Sequence, residues 1–291
     1  MAYPSPLNGK KSGEHNLDKG PLSVYFVLPC LNEEPNIPRV LEDLIRYESM
    51  VSLVSSKVKF LFIDDGSTDQ TKVLLENSGK KNLEVISHAT NRGPGAAFQT
   101  AFSHLLNSGL APHDLVITLE GDATSDPKVF PRMLKRLEEG DDIVLASPYL
   151  YGGGFSEVAG FRLFLSHMAN FLFKLILNIH GLATFSCFFR IYRGNALLQL
   201  DAAYPEGIVT SPGFDCAAEI VMKAVRQKIT ISEVPFLVDW SRRKGKSKMR
   251  ILKAISGYLK LFVRYSRFGN LKKKGLVHEN SDHRWSKTPV R

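Results

Sequence analysis

Three acidic clusters carry the chemistry that this sequence can do. In LEGDATSD, Glu120 and Asp122 stand two residues apart across Gly121, and Asp126 follows. Carboxylates so spaced can converge on one hard divalent cation, Mg²⁺ or Mn²⁺, and such a cation can hold a diphosphate. IDDGSTD supplies Asp64 and Asp65, and PCLNEE supplies Pro29, Asn32, Glu33 and Glu34. In NRGPGAA, Asn91, Gly93 and Gly95 precede an apolar run, and the glycines let a backbone approach a ligand or simply make a turn. A lone Glu-x-Asp is common by chance, so its weight depends on the elements that carry it.

Those elements read as alternating strands and helices. SVYFVLP, KVKFLFIDD, LEVISHA, DLVITLEGD and DIVLASPYL are short apolar runs suited to buried strands. Between them, residues 36–47, TKVLLENSG, GAAFQTAFSHLLNSG and residues 126–140 have helical spacing. This alternation predicts a doubly wound α/β sheet, in which ligands bind beyond the carboxyl ends of the strands. The acidic clusters fall there.

Other sites are excluded. No GxGxxG opens the first helix, and there is no Walker A lysine motif and no GxSxG elbow. Cys30, Cys187 and Cys216 are widely spaced, with no CxxC, and read as reduced, core-filling thiols of a cytosolic compartment rather than zinc ligands. The 291 residues, 44% hydrophobic and 23% charged, suit one large globular domain.

The formal net charge of +9 is unevenly placed. Residues 241–291 hold 16 Lys/Arg against two acids, while the remaining 240 residues hold 22 basic and 27 acidic side chains. A basic C-terminal fifth suits a polyanionic partner, either nucleic acid or an anionic membrane face. No helix-turn-helix, RRM or aromatic stacking surface is recognisable, which disfavours nucleic acid.

Two segments favour the membrane. FRLFLSHMANFLFKLILNIH, residues 161–180, is a greasy helical stretch with one polar stripe, suited to a membrane interface or a protein core. Residues 250–268 form a basic amphipathic helix, with Ile251, Leu252, Ile255, Tyr258, Leu259 and Phe262 as its apolar face. No run of about 18 uninterrupted apolar residues marks a transmembrane span. The expected organisation is a disordered tail over 1–20, a domain over 21–249 that includes the 161–180 helix, an interface helix over 250–268, and a mobile basic tail over 269–291.

Taken together, PCLNEE, IDDGSTD, NRGPGAA and LEGD resemble the GT-A glycosyltransferases of family 2. GGG at 152–154, FRLFLSHMAN, CFFRIYR, SEVPF and GKSKM at 245–249 are similar to the polyprenol-phosphate glycosyltransferases within that family. The resemblance covers roughly residues 22–265. It implies a Rossmann-like, mostly parallel sheet between helices. It also implies an inverting, metal-dependent transfer of a hexose from a GDP- or UDP-sugar to a polyprenyl phosphate. By position, Pro29, Asn32, Glu34, Asn91 and Gly93 would shape the nucleotide pocket, and Asp64 and Asp65 would bind base or ribose. Asp122, with Glu120 and Asp126, would take the metal. Arg162, Arg242 and Lys248 would meet the acceptor phosphate. The implied location is peripheral, at the cytoplasmic face of a membrane, with a small membrane protein as a further partner.

The chain departs from the family pattern at Glu120, Thr124, Pro148 and Thr184, where an aspartate, a glutamine, an arginine and an aspartate are usual. These departures leave a saccharide or other non-lipid acceptor, or a catalytically degenerate transferase subunit, as alternative readings.

Overall fold

The computed structural model describes residues 22–52, 55, 57–156, 170, 181–245 and 251–275. A seven-stranded sheet with the order β3-β2-β1-β4-β7-β5-β8 forms its centre. β1 (Ser23–Cys30) pairs in parallel with β2 (Lys57–Asp64) and β4 (Leu115–Thr118), and β2 pairs in parallel with β3 (Leu83–Ser87). β5 (Ile143–Ser147) pairs in parallel with β8 (Ile231–Pro235). β7 (Arg190–Arg193) lies antiparallel between β4 and β5, which makes the sheet mostly parallel. A second, two-stranded parallel sheet joins β6 (Gly154–Ser156) to β9 (Leu237–Asp239).

The strands are apolar on both sides because both sheet faces are covered. Side chains alternate with period two. Phe26, Leu28, Phe60 and Phe62 pack with α1 (Ile37–Val51) and α4 (Phe130–Glu138). Val27, Leu61 and Ile63 face the opposite layer. That layer comprises α3 (Pro94–Asn107), α5 (Gly194–Ala203), α6 (Cys216–Arg226) and α7 (Ile251–Gly275). The short α2 (Thr71–Glu76) follows β2. The three cysteines are free thiols.

Two boundaries differ from expectation. The helix expected over 126–140 begins instead as a 3-10 turn at Pro127–Val129, with the Asp126 side chain accepting from Lys128 N–H at 3.0 Å. The C-terminal helix runs on to Gly275, so part of the segment expected to be a mobile tail is helical.

α7 also presents its apolar residues differently from a single membrane face. Ala254, Leu261, Phe262 and Tyr265 are buried, and Tyr258 packs on the same core. Arg226 of α6 donates to the Tyr265 carbonyl at 2.9 Å, with its guanidinium 4.5 Å from the Tyr265 ring. Ile255, Leu259 and Val263 point to solvent instead. Among the described residues no helix is long and apolar enough to cross a membrane.

Candidate active site

Four loops leave the carboxyl ends of β1, β2, β3 and β4 and lace together. Asn32, in a left-handed conformation at φ +50°, accepts from Thr68 N–H through Oδ1 at 2.7 Å, and its own N–H donates to Ser67 Oγ at 2.8 Å. Glu34 accepts from Gln70 N–H at 3.1 Å, and Asp64 accepts from Ser67 N–H at 3.2 Å. Asp65 accepts from Arg92 N–H at 2.9 Å and Gly93 N–H at 2.7 Å. Asn91 Oδ1 also accepts from Gly93 N–H, at 3.0 Å. Pro29 sits in β1 opposite Ile63, and its carbonyl lies where a Cβ on Gly121 would be only 2.6 Å away. The glycine between Glu120 and Asp122 is therefore what lets the acidic turn close against β1.

That turn concentrates negative charge. Thr124 Oγ1 is 2.6 Å from Asp122 Oδ1 and 3.0 Å from Glu120 Oε2. Burial pushes the Glu120 carboxyl up to about 7, and the Asp122 charge adds to the rise. One hydroxyl proton cannot serve two carboxylates. With Glu120 protonated, Glu120 donates to Thr124 and Thr124 donates to Asp122.

The expected trio of metal ligands is not assembled. Among the described residues, no group of three or more His, Cys, Asp or Glu side chains could hold a metal ion. Asp126 is drawn off by its capping role and by Arg242, whose Nη1 lies 3.9 Å from Asp126 Oδ2. Glu120 and Asp122 remain as a two-carboxylate set. A hard divalent cation fits such a set when diphosphate oxygens and water complete its shell.

Arg242 is likewise not free to meet a phosphate. It is buried, pairs with Asp43 through Nη2, and donates from Nε to the Ala123 carbonyl at 2.9 Å. It thereby braces the acidic turn at Ala123, which holds a left-handed φ of +64°. Arg243, its side chain equally buried, faces the acidic turn instead. Its Nη1 is 3.0 Å from Asp122 Oδ2, its Nη2 is 3.7 Å from Glu33 Oε1, and its guanidinium lies 5.8 Å from the Trp240 ring. Asn36 secures this strap, accepting from Lys244 N–H at 2.7 Å and donating to the Lys244 carbonyl at 3.0 Å. Arg242 ends the Trp240–Arg242 3-10 turn and Arg243 follows in extended backbone, so the two side chains leave in different directions. Nothing in the composition of the run Arg242-Arg243-Lys244 distinguishes the two arginines. Arg162 and Lys248 lie outside the described residues.

The loop at residues 207–213 backs the pocket. Gly95 N–H donates to the Pro212 carbonyl at 2.9 Å, and a Cβ on Gly95 would lie 1.8 Å from the Ser211 carbonyl. Glu219 accepts from Thr210 N–H at 3.0 Å and Ser211 N–H at 2.8 Å, and lies 2.9 Å from the fully buried Lys223 ammonium. Although burial alone would raise the Glu219 pKa, these hydrogen bonds and Lys223 lower it.

The family model for glycosyl transferase family 2 matches residues 25–200, which carry all three acidic clusters. The chain belongs to that family. It is 26% identical over 226 residues to a polyprenol monophosphomannose synthase of Mycolicibacterium smegmatis, covering 77% of this chain and 79% of that protein. The fold is similar to that of glucosyl-3-phosphoglycerate synthase from Mycobacterium tuberculosis, solved with Mn²⁺, UDP-glucose and phosphoglyceric acid. That likeness has a TM-score of 0.55 at 17% identity and covers 81% of this chain and 76% of the other. Mannosyl-3-phosphoglycerate synthase from Rubrobacter xylanophilus gives a TM-score of 0.53 at 16% identity, covering 90% and 77%. This family 2 enzyme is thus a glycosyltransferase that uses nucleotide sugars, with the mostly parallel α/β architecture of the GT-A fold.

Proposed function

We propose that this glycosyltransferase moves a hexose, with inversion, from a nucleotide sugar to a polyprenyl phosphate at a membrane surface. The observation that carries the acceptor assignment is the second face of α7. Ile255, Leu259 and Val263 form an exposed apolar stripe bordered by exposed Lys253 and Lys260, on a helix otherwise anchored in the core. Such a face suits the headgroup region of an anionic bilayer. The likeness to a protein named as a polyprenol monophosphomannose synthase supports the same acceptor class. The location we propose is peripheral, on the cytoplasmic side, with a small membrane protein as a further partner.

A phosphate monoester is an anionic nucleophile near neutral pH, so the site needs no strong general base. One acceptor oxygen forms the new bond to the anomeric carbon as the bond from that carbon to the nucleoside diphosphate breaks. Two anions must be held together, and arginine suits that task. Arg243 faces Asp122 in the acidic turn, and Arg162 and Lys248 are further candidates for the acceptor phosphate. The loops carrying Pro29, Asn32, Glu34, Asp64, Asp65, Asn91 and Gly93 would hold the nucleotide. Glu120 and Asp122 would hold Mg²⁺ or Mn²⁺. When bound, the cation would neutralise charge on the departing diphosphate.

The test is nucleoside diphosphate release from a panel of UDP- and GDP-sugars with Mg²⁺ or Mn²⁺, with and without polyprenyl phosphate in detergent. Release that requires the lipid and one particular sugar is the expected result. Release that proceeds equally without the lipid would overturn the acceptor assignment. Failure of every donor to bind would favour a degenerate subunit.

A further inference from the structure

The Asp65 carboxylate is held by three donors. His88 Nδ1 lies 2.6 Å from Oδ1, Arg92 N–H donates to the same oxygen at 2.9 Å, and Gly93 N–H donates to Oδ2 at 2.7 Å. The far side of the ring is closed as well, with His88 Nε2 2.9 Å from Thr100 Oγ1 on α3. The side chains of His88 and Asp65 are 6% and 5% exposed. An ionised carboxylate only accepts, so Nδ1 carries the ring proton, and in the neutral ring Nε2 accepts from the Thr100 hydroxyl.

A carboxylate oxygen has two lone pairs. Oδ1 spends both on His88 and Arg92, whereas Oδ2 spends one on Gly93 and keeps one among the described residues. We propose that His88 is a positioning residue for the donor nucleotide. It saturates one oxygen of Asp65 and fixes the rotamer so that the other presents a single acceptor to a base N–H or a ribose hydroxyl. Thr100 fixes the ring plane, and α3 thereby sets the angle at which Asp65 meets its ligand. This rests on the reading of Asp65 as a nucleotide contact. The competing role is a brace between the end of β3 and α3, in which the Thr100 bond is the one that matters.

Two substitutions separate these roles, because each keeps one half of the ring's hydrogen bonding. In His88→Asn the side-chain amide occupies the place of Nδ1 and retains the Asp65 bond. In His88→Gln it occupies the place of Nε2 and retains the Thr100 bond. Binding of UDP and GDP is measured by calorimetry for both variants, for Asp65→Ala and for the wild type, with thermal unfolding of each. The expected result is that the Asn variant binds within threefold of wild type, while the Gln variant and Asp65→Ala each lose at least tenfold. Equal binding by the Gln variant and wild type, or weaker binding by the Asn variant than by the Gln variant, would overturn the assignment of His88. Unchanged binding by Asp65→Ala would instead overturn the underlying reading of Asp65. Should the Gln variant fail to fold, the Asn variant decides alone: a tenfold loss there rejects the proposal.

Discussion

Arg243 and Asp122 face one another at 3.0 Å, while Arg242, one residue earlier, turns the opposite way into Asp43. Adjacent arginines therefore do different work. Arg242→Ala leaves the buried Asp43 carboxylate to the exposed Arg46, 3.5 Å away, and removes the brace on Ala123, so it should cost about 3 kcal/mol of stability. Arg243→Ala should instead lower kcat/KM on the order of 100-fold, because it removes a preorganised cation beside Asp122, where we propose that the two phosphate groups are held together. Thermal unfolding with EDTA and with Mn²⁺ distinguishes the two. Added Mn²⁺ should stabilise the Arg243 variant more than it stabilises wild type, since the cation replaces the lost positive charge beside Asp122. It should leave the deficit of the Arg242 variant unchanged.

The contrast between these arginines also marks what the sequence can and cannot convey. The acids at the ends of β1, β2 and β4 were legible because each follows an apolar run that ends where the polar residues begin. β7 was not. RIYR is short and begins and ends with arginine, and its place between β4 and β5 depends on antiparallel pairing with segments far away in the chain. The role of Asp126 was lost for a local reason: a carboxylate before Pro127 can cap a turn as readily as it can bind a metal, and here it caps. His88 carried no motif of its own. Only the convergence of the β3 end with the Asp65 loop brings its ring against Asp65.

Close backbone packing yields a second prediction. A Cβ on Gly95 would meet the Ser211 carbonyl at 1.8 Å, and one on Gly121 would meet the Pro29 carbonyl at 2.6 Å. Neither neighbour is a flexible side chain that could swing away. Gly95→Ala and Gly121→Ala should each destabilise the fold by about 2 kcal/mol or more, and both should weaken donor binding. Gly109 has a φ of +82° but nothing within 4 Å of a Cβ, so Gly109→Ala should cost only about 1–2 kcal/mol of backbone strain. Urea denaturation of the three variants checks the order.

Glu219 predicts an acid sensitivity. Its pKa in the fold lies below the ordinary value of 4.5, although burial acts to raise it, because Thr210, Lys223 and Ser211 N–H favour the charged form. A depressed carboxyl contributes stability that is fully present above the unfolded value. That stability is lost as the pH falls below 4.5 and through the folded value. Denaturant midpoints between pH 3 and 6 should therefore fall more steeply for wild type than for Glu219→Gln. At neutral pH the Gln variant should be the less stable by about 3 kcal/mol, since Lys223 loses its buried partner. Equal pH slopes for the two proteins would contradict this.

Cys187 sits beside the acidic turn, and burial first, then the charge of Glu120, pushes its thiol up to about 12. The thiolate is the reactive form. Iodoacetamide at pH 8 should leave Cys187 unmodified in the folded protein, and the buried Cys30 and Cys216 with it. All three should react in denaturant. Intact mass measured over time reads the number of modified thiols directly.

The two apolar faces of α7 should respond oppositely to substitution. Leu261 lies in the core with Phe262 and Tyr265, so Leu261→Ala should cost about 2–5 kcal/mol of stability. Ile255, Leu259 and Val263 are exposed along the other face, and replacing all three with Ser removes little buried surface. The triple variant should melt close to wild type yet lose most of its co-sedimentation with vesicles containing anionic lipid. Its turnover of a short, detergent-soluble polyprenyl phosphate should remain near that of wild type, because the substitutions lie away from the acidic turn and from Arg243. Vesicle binding equal to wild type would show that the stripe faces something other than a bilayer. A large loss of stability would show that the stripe is packed against protein.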